Sequence, residues 1–154
     1  MDKSGIIKMK NPNSLKLRKI KVLVFGTFDG LHEGHKDFFR QAKEYGDNLV
    51  AVVGRDSTVQ RTKNRLPKFN EQERLKGVQD SGLVDEARLG NEGNNPYKVI
   101  EEVNPRIICL GYDQTHFTDK LAEKIKEMGL HIDIVRLKPY KPEIYKSSLL
   151  NLPD

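Results

Sequence analysis

Gly26-Thr27-Phe28-Asp29-Gly30-Leu31-His32-Glu33-Gly34-His35 is the stretch around which the chain is organised. It follows an apolar run, Ile20-Lys21-Val22-Leu23-Val24-Phe25, and precedes an amphipathic one, Lys36 to Tyr45. Strand, glycine-containing turn and helix in that order put backbone N–H groups and the positive end of a helix at the carboxyl edge of a parallel sheet. His32 and His35 sit at that edge, with the small Gly34 between them. Gly26, Gly30 and Gly34 leave room for close backbone approach or unusual dihedrals. Helix capping favours Ser, Thr, Asp and Asn over paired histidines. We therefore read the two imidazoles as chemical groups and not as caps.

Working outward, Ile20–Phe25 is a first strand, central because it is apolar throughout. Gly34–Tyr45 is a first helix with Phe38, Phe39 and Ala42 on its apolar face. Asn48–Gly54 is a second buried strand. Arg55–Lys68 changes character: Arg55, Arg61, Lys63, Arg65 and Lys68 stand against a single acid, Asp56. We expect a flexible basic loop here, a lid that closes on phosphate with Arg61, Lys63 and Arg65. Asn70 and Glu73 form a capping-box pattern that opens a helix running to about Asp80, with Arg74 inside it. Further strands are expected at Val84–Leu89, Arg106–Leu110 and His131–Leu137. Helices are expected at Pro96–Val103 and Phe117–Met128, with a short terminal one over Tyr145–Leu152. Strands alternating with helices along the whole chain predict an α/β fold with a parallel sheet and right-handed crossovers.

The chain has 154 residues, enough for one well-buried core and short for two. We divide it into an N-terminal extension, 1–19, and one domain, 20–154. No apolar run is long enough to cross a bilayer, and the basic start lacks the continuous apolar core of a secretory signal. The single cysteine, Cys109, lies in an apolar run and reads as a core residue of a reducing, cytoplasmic protein. A net charge of +5 suits an anionic ligand without choosing among them. No row of aromatics suited to stacking on nucleic acid bases is present.

The Gly26–His35 stretch resembles the HxGH signature of the nucleotidyltransferase superfamily, which includes cytidylyltransferases, pantetheine-phosphate adenylyltransferase and archaeal-type FAD synthases. The resemblance covers roughly Ile20 to Leu150. It implies a single Rossmann-like domain with a five-stranded parallel sheet, helices on both faces and strand order 3-2-1-4-5. That order places the topological switch point beside the first strand, and so beside the histidines. It implies transfer of a nucleoside monophosphate from a triphosphate to a phosphorylated acceptor, with release of pyrophosphate. His32 and His35 would donate hydrogen bonds to the phosphates, and Gly26, Thr27, Phe28 and Gly34 would line the nucleotide site. Gly111 and Asp113, after the fourth strand, fall where the family recognises the base. Lys146, Ser147 and Ser148 correspond to its second signature, a hydroxyl-bearing helix start that clamps the β- and γ-phosphates.

Asp29 either caps its turn or orients the attacking group or a magnesium ion. No dedicated metal-ligand pattern is present, so a divalent cation, magnesium, is expected to be held mainly by the triphosphate. Three function classes remain open: an adenylyltransferase making a dinucleotide cofactor, a cytidylyltransferase activating a small phosphorylated alcohol, and a nucleotide-binding module without turnover. Departures from pattern favour the first, with ATP and FMN as substrates and FAD as product. Glycerol-3-phosphate cytidylyltransferases carry an arginine-aromatic-valine-aspartate segment before the third strand; here it reads Gly82-Leu83-Val84-Asp85. Arg55 to Val59, Ile107 to Gln114 and the terminal Ser147-Ser148 look more similar to archaeal-type FAD synthases. Members of the superfamily often form homodimers, and the resemblance leaves that state open here.

Overall fold

The computed structural model describes residues 19–93, 95–114 and 118–140. Residues 1–18 of the extension, and the terminal helix expected over 145–152, lie outside them. The elements in chain order are β1 (Lys21–Gly26), α1 (Glu33–Lys43), β2 (Asn48–Val53), α2 (Asp56–Lys63), α3 (Glu71–Asp80), β3 (Glu86–Leu89), α4 (Pro96–Val103), β4 (Ile107–Leu110), a 3-10 turn (Thr118–Lys120), α5 (Leu121–Glu127) and β5 (Asp133–Arg136). The strands form one parallel sheet in the order β3-β2-β1-β4-β5. That is the order the resemblance implied.

Neighbouring residues on a strand point to opposite faces, and β1 shows why both must be apolar. Val22 and Val24 join the cluster with Phe39 and Ala42 of α1 and Val78 of α3. Leu23 and Phe25 face the other way, onto Val99, Ile100 and Val103 of α4 and Leu121 and Ile125 of α5. The sheet is thus covered on both faces, as parallel sheets require. β1 and β2 pair in full register from Lys21 opposite Asn48 to Gly26 opposite Val53. Cys109 is fully buried in the first cluster, and burial pushes its thiol up to about 12, consistent with a packing role.

Local signals account for most helix ends. Asn70 caps α3, and its carboxamide accepts from the Glu73 N–H at 2.8 Å while Glu73 accepts from the Asn70 N–H at 3.0 Å. Pro96 occupies the first turn of α4 behind an Asn95 cap. Strands β3 and β5 are shorter than the sequence suggests, because Val84, Asp85, His131 and Ile132 serve as lead-ins.

One expectation is overturned. Arg55–Lys68 is not a loop, since Asp56–Lys63 forms α2. Its single buried apolar residue, Val59, gives too weak a periodicity to be read as helical. The helix is anchored by charge instead. Arg55 donates to the Gly90 carbonyl at 2.6 Å and pairs with Glu71 at 3.3 Å, and the Asp56 N–H donates to Glu71 at 2.8 Å.

Arg74 completes this anchoring from α3, with 2% of its surface exposed. Its guanidinium donates to the Thr27 carbonyl at 2.8 Å, the Gly54 carbonyl at 2.7 Å, the Phe69 carbonyl at 2.9 Å and the Asp56 carboxylate at 2.7 Å. The carboxyl ends of β1 and β2, the start of α2 and the start of α3 therefore meet on one side chain. Removing it leaves a carboxylate and three carbonyls without their donor. We expect Arg74→Ala to cost about 3–5 kcal/mol in denaturant unfolding, and Arg74→Lys to recover only part of that loss. A cost below about 1 kcal/mol, the range of an exposed ion pair, would show that the hub is dispensable.

Candidate active site

The turn from β1 to α1 is built around a buried phenyl ring. Phe28 has φ of +54°, a left-handed backbone that bulky residues seldom adopt. Such strain costs of order 1–3 kcal/mol and persists only where packing imposes it. Here the ring is 3% exposed and packs on Phe39 with centroids 5.0 Å apart, and against the His35 ring in a T-shaped contact at 5.7 Å. Gly26 makes room for it, since a Cβ there would lie 2.5 Å from Phe28 Cζ. The Phe28 side chain thus props the turn from beneath and is not a ligand-facing group.

The histidines correct a second expectation, because His32 is the N-cap of α1. Its Nδ1 accepts from the Gly34 N–H at 3.0 Å and the His35 N–H at 3.3 Å. His35 Nδ1 accepts in turn from the His32 N–H at 3.3 Å, closing a capping box made of two imidazoles. The rings stack, with centroids 3.9 Å apart and planes 20° from parallel. A ring nitrogen that accepts an N–H carries no proton, so the proton of each neutral ring belongs on Nε2. Capping therefore fixes the tautomer: each ring is set to donate from Nε2, beside the positive end of α1. Gly34 is needed for this geometry, as a Cβ there would come 2.8 Å from His32 Cε1.

Asp29 reaches away from the histidines. One carboxylate oxygen accepts from the Lys68 N–H at 2.7 Å and the other from the Phe69 N–H at 2.8 Å. It braces the segment between α2 and α3 against the turn. Arg61 and Lys63 lie in the last turn of α2 and Arg65 just beyond it. Lys68 and Phe69 join this segment to the turn through their backbone N–H groups.

On the other side of β1, the turn after β4 is tied in by Gln114. Its Oε1 accepts from the Gly111 N–H at 3.1 Å, and its Nε2 donates to the Phe25 carbonyl at 3.3 Å. Arg136 of β5 donates to the carbonyls of Gly111 at 2.8 Å and Gln114 at 2.6 Å. Asp113 is exposed at the tip, beside Tyr112, whose phenol is pushed up first by burial and then by the Asp113 charge. Lys146, Ser147 and Ser148 lie outside the described residues.

The structure thus gathers Gly26, Thr27, Phe28, Asp29, His32, Gly34 and His35 on one turn, with Gly111 and Asp113 beside it. The sequence reading gave no role to Arg74, Gln114 or Arg136. Arg74 had one visible signal, its phase with Val78 one turn later on the buried face of α3. Gln114 and Arg136 had none. Among the described residues, no group of three or more His, Cys, Asp or Glu is placed to hold a metal ion, and no helix is long and apolar enough to cross a membrane. An open cavity of about 540 Å³ lies behind α2, but Asp56, Glu71 and Glu92 on its walls do not suit it to phosphate.

A parallel sheet in this order, with an imidazole-capped helix N-terminus at its switch point, has the architecture of a nucleotidyltransferase. Residues 23–150 match the family described as cytidylyltransferase-like, and the chain belongs to that family of nucleotidyltransferases. Within it, the chain is similar to FAD synthases. It is 42% identical to the FAD synthase of Thermoplasma volcanium over 84% of this chain and 89% of that one. It is 44% identical to the FAD synthase of Aciduliprofundum boonei over 79% and 80%. The crystal structure of the lipopolysaccharide core biosynthesis protein from Thermoplasma volcanium GSS1 superposes with a TM-score of 0.75 at 42% identity, covering 80% of this chain and 99% of that one.

Gly34→Ala tests the imidazole cap. Losing the cap costs about 1 kcal/mol, while alanine in place of glycine inside a helix returns about 0.8–1.0 kcal/mol. Unfolding free energy should therefore change little. Turnover should fall about 100-fold, the penalty for a catalytic group displaced by an ångström. Turnover equal to the parent's would show that the His32 ring position does not matter.

Proposed function

We propose that the chain transfers AMP from ATP to FMN, giving FAD and pyrophosphate. The observation that carries this reading is the reciprocal imidazole cap, which aims two neutral donors at an anion on the α1 N-terminus. The FAD synthase names of its relatives supply the acceptor and the nucleotide. An oxygen of the FMN phosphate attacks the α-phosphorus of ATP. The new P–O bond forms as the bond from the α-phosphorus to the bridging oxygen breaks, and pyrophosphate leaves with that electron pair. The attacking phosphate is already an anion, so no general base is required, and catalysis is alignment plus charge stabilisation. His32 and His35 donate from Nε2 to the phosphate oxygens on which charge grows, and the α1 N–H groups add a fixed positive end.

Both Asp29 oxygens are engaged by backbone N–H groups, which suits a brace better than a metal ligand. We assign the divalent cation, magnesium, to the triphosphate oxygens, where it neutralises charge. Lys146, Ser147 and Ser148 take the β- and γ-phosphates in this reading. Arg61, Lys63 and Arg65 add positive potential at the mouth, and Gly111 and Asp113 face the base. We assign the activity to the cytoplasm. Gly82, standing where the cytidylyltransferases carry arginine, has φ of +73° at the end of α3, a conformation unsuited to that side chain.

His32→Asn separates chemistry from capping, because asparagine caps as well as any residue. Stability should hold within about 1 kcal/mol, and turnover should drop on the order of 100–1000-fold, the cost of one lost transition-state donor. His35→Ala should lose turnover to a similar extent. The substrate assignment is tested by crossing ATP and CTP with FMN, glycerol 3-phosphate, phosphocholine and phosphopantetheine, and following pyrophosphate and FAD. Turnover of CTP with glycerol 3-phosphate, with FMN untouched in the presence of ATP and magnesium, would overturn it.

A further inference from the structure

We infer that Phe69 is the face on which the isoalloxazine ring of the acceptor rests, with Lys68 beside it for the acceptor's anionic end. This rests on the FMN reading above and adds to it the place where the acceptor binds. Phe69 is 41% exposed, and an exposed phenyl alone means little. The way it is held is what distinguishes it. Its N–H is bonded to Asp29, its carbonyl accepts from the buried Arg74, and the next residue, Asn70, is the cap of α3. Lys68 is fixed by the other oxygen of the same aspartate. The edge of the phenyl ring meets the turn at Gly30, where a Cβ would lie 3.3 Å from Phe69 Cε2. An apolar ring is thus presented to solvent on a backbone fixed from both sides, against the loop that reaches His32 two residues later.

The chemistry of the segment matches one kind of ligand. Arg65-Leu66-Pro67-Lys68-Phe69 puts two basic residues among exposed apolar ones, with Leu66 65% exposed. FMN has that same combination, a flat apolar ring and a phosphate. Topology assigns the side. Two substrates must meet over the histidines, and the switch point lies between β1 and β4. The turn Gly111–Gln114 borders the cleft on the β4 side, where the proposed site puts the nucleotide base. The 65–69 segment follows β2 and borders it on the opposite side, which leaves that side to the acceptor. Such a ring is worth burying against an aromatic face, and offset or edge-on packing both serve.

The test compares the parent, Phe69→Ala and Phe69→Trp by FMN fluorescence titration without ATP, and by steady-state FAD formation. Phe69→Ala should weaken FMN binding and raise its KM on the order of 10-fold or more, the usual effect of removing an aromatic stacking partner. The KM for ATP, and kcat at saturating FMN, should stay within about threefold of the parent, as expected for a loss of acceptor binding alone. Phe69→Trp should restore binding and quench the emission of bound FMN, because an indole stacked on an excited flavin donates an electron to it, and the electron returns without emission. Unchanged FMN affinity in Phe69→Ala, with the parent still making FAD, would overturn this inference and leave the proposed function standing. A raised KM for ATP alone would overturn it by moving the nucleotide to this side. A parent that neither binds FMN nor makes FAD would remove both.

Discussion

A buried guanidinium holds the carboxyl edge of this sheet together. Where β1 and β2 end, their last carbonyls lose the ladder partners that serve them inside the sheet. A buried carbonyl without a donor is costly. Arg74 supplies donors to Thr27, Gly54 and Phe69 at once, and sets its charge against Asp56. A charge with only 2% of its residue exposed is tolerable because every arm is occupied. The position of α3 follows from this contact. So does that of α2, through Asp56, and that of the 68–69 segment, which is held by Arg74 on its carbonyl side and Asp29 on its N–H side.

The turn itself depends on the same economy of parts. The bonds that start α1 are the bonds that orient the imidazoles, so in the proposed function a structural duty and a chemical one fall on the same two rings. Nδ1 is bonded to Cγ, as the cap-forming oxygens of Asn and Asp are, which is why His32 caps as they do. The outward nitrogen is then left with the proton. Strain at Phe28 belongs to this arrangement: its left-handed backbone lets the ring sink between Gly26 and Phe39 and support His35 from below.

Much of this was legible in the residues. The apolar continuity of Val22 to Phe25 fixed a central strand, and Asn70 and Glu73 marked the start of α3, whereas a phosphate-binding role for His32 and His35 came from resemblance and their spacing only permits it. Strand order came from resemblance, because periodicity carries no information on which strands are neighbours. The misreadings have physical causes. α2 buries only Val59, and its anchors are ion pairs with Glu71 and Arg74 and a hydrogen bond to the Gly90 carbonyl, which leave no hydrophobic period. Capping preferences argued against histidine, although the geometry of Nδ1 permits it. Only the phase of Arg74 with Val78 was legible, because three of its four partners are backbone carbonyls, two of them 47 residues away at Thr27 and 20 at Gly54, and carbonyls have no residue type to recognise.

The two borders of the cleft are built by one rule. Parallel strands that part at a switch point open a groove, and parting ends the backbone ladder on both sides of β1. On the β2 side Arg74 bridges the gap. On the β4 side Gln114 bonds the Gly111 N–H and the Phe25 carbonyl, and Arg136 takes the carbonyls of Gly111 and Gln114. Long side chains with several donors therefore stand where ladder bonds would otherwise be, and the carbonyls of Phe25, Thr27, Gly54 and Gly111 keep partners at the edge. A reaction that needs no general base depends on how firmly two anions are aligned. The histidine pair sits between these two pinned borders, on a helix whose start it caps itself. The rigidity that alignment requires thus comes from the same bonds that allow the sheet to open.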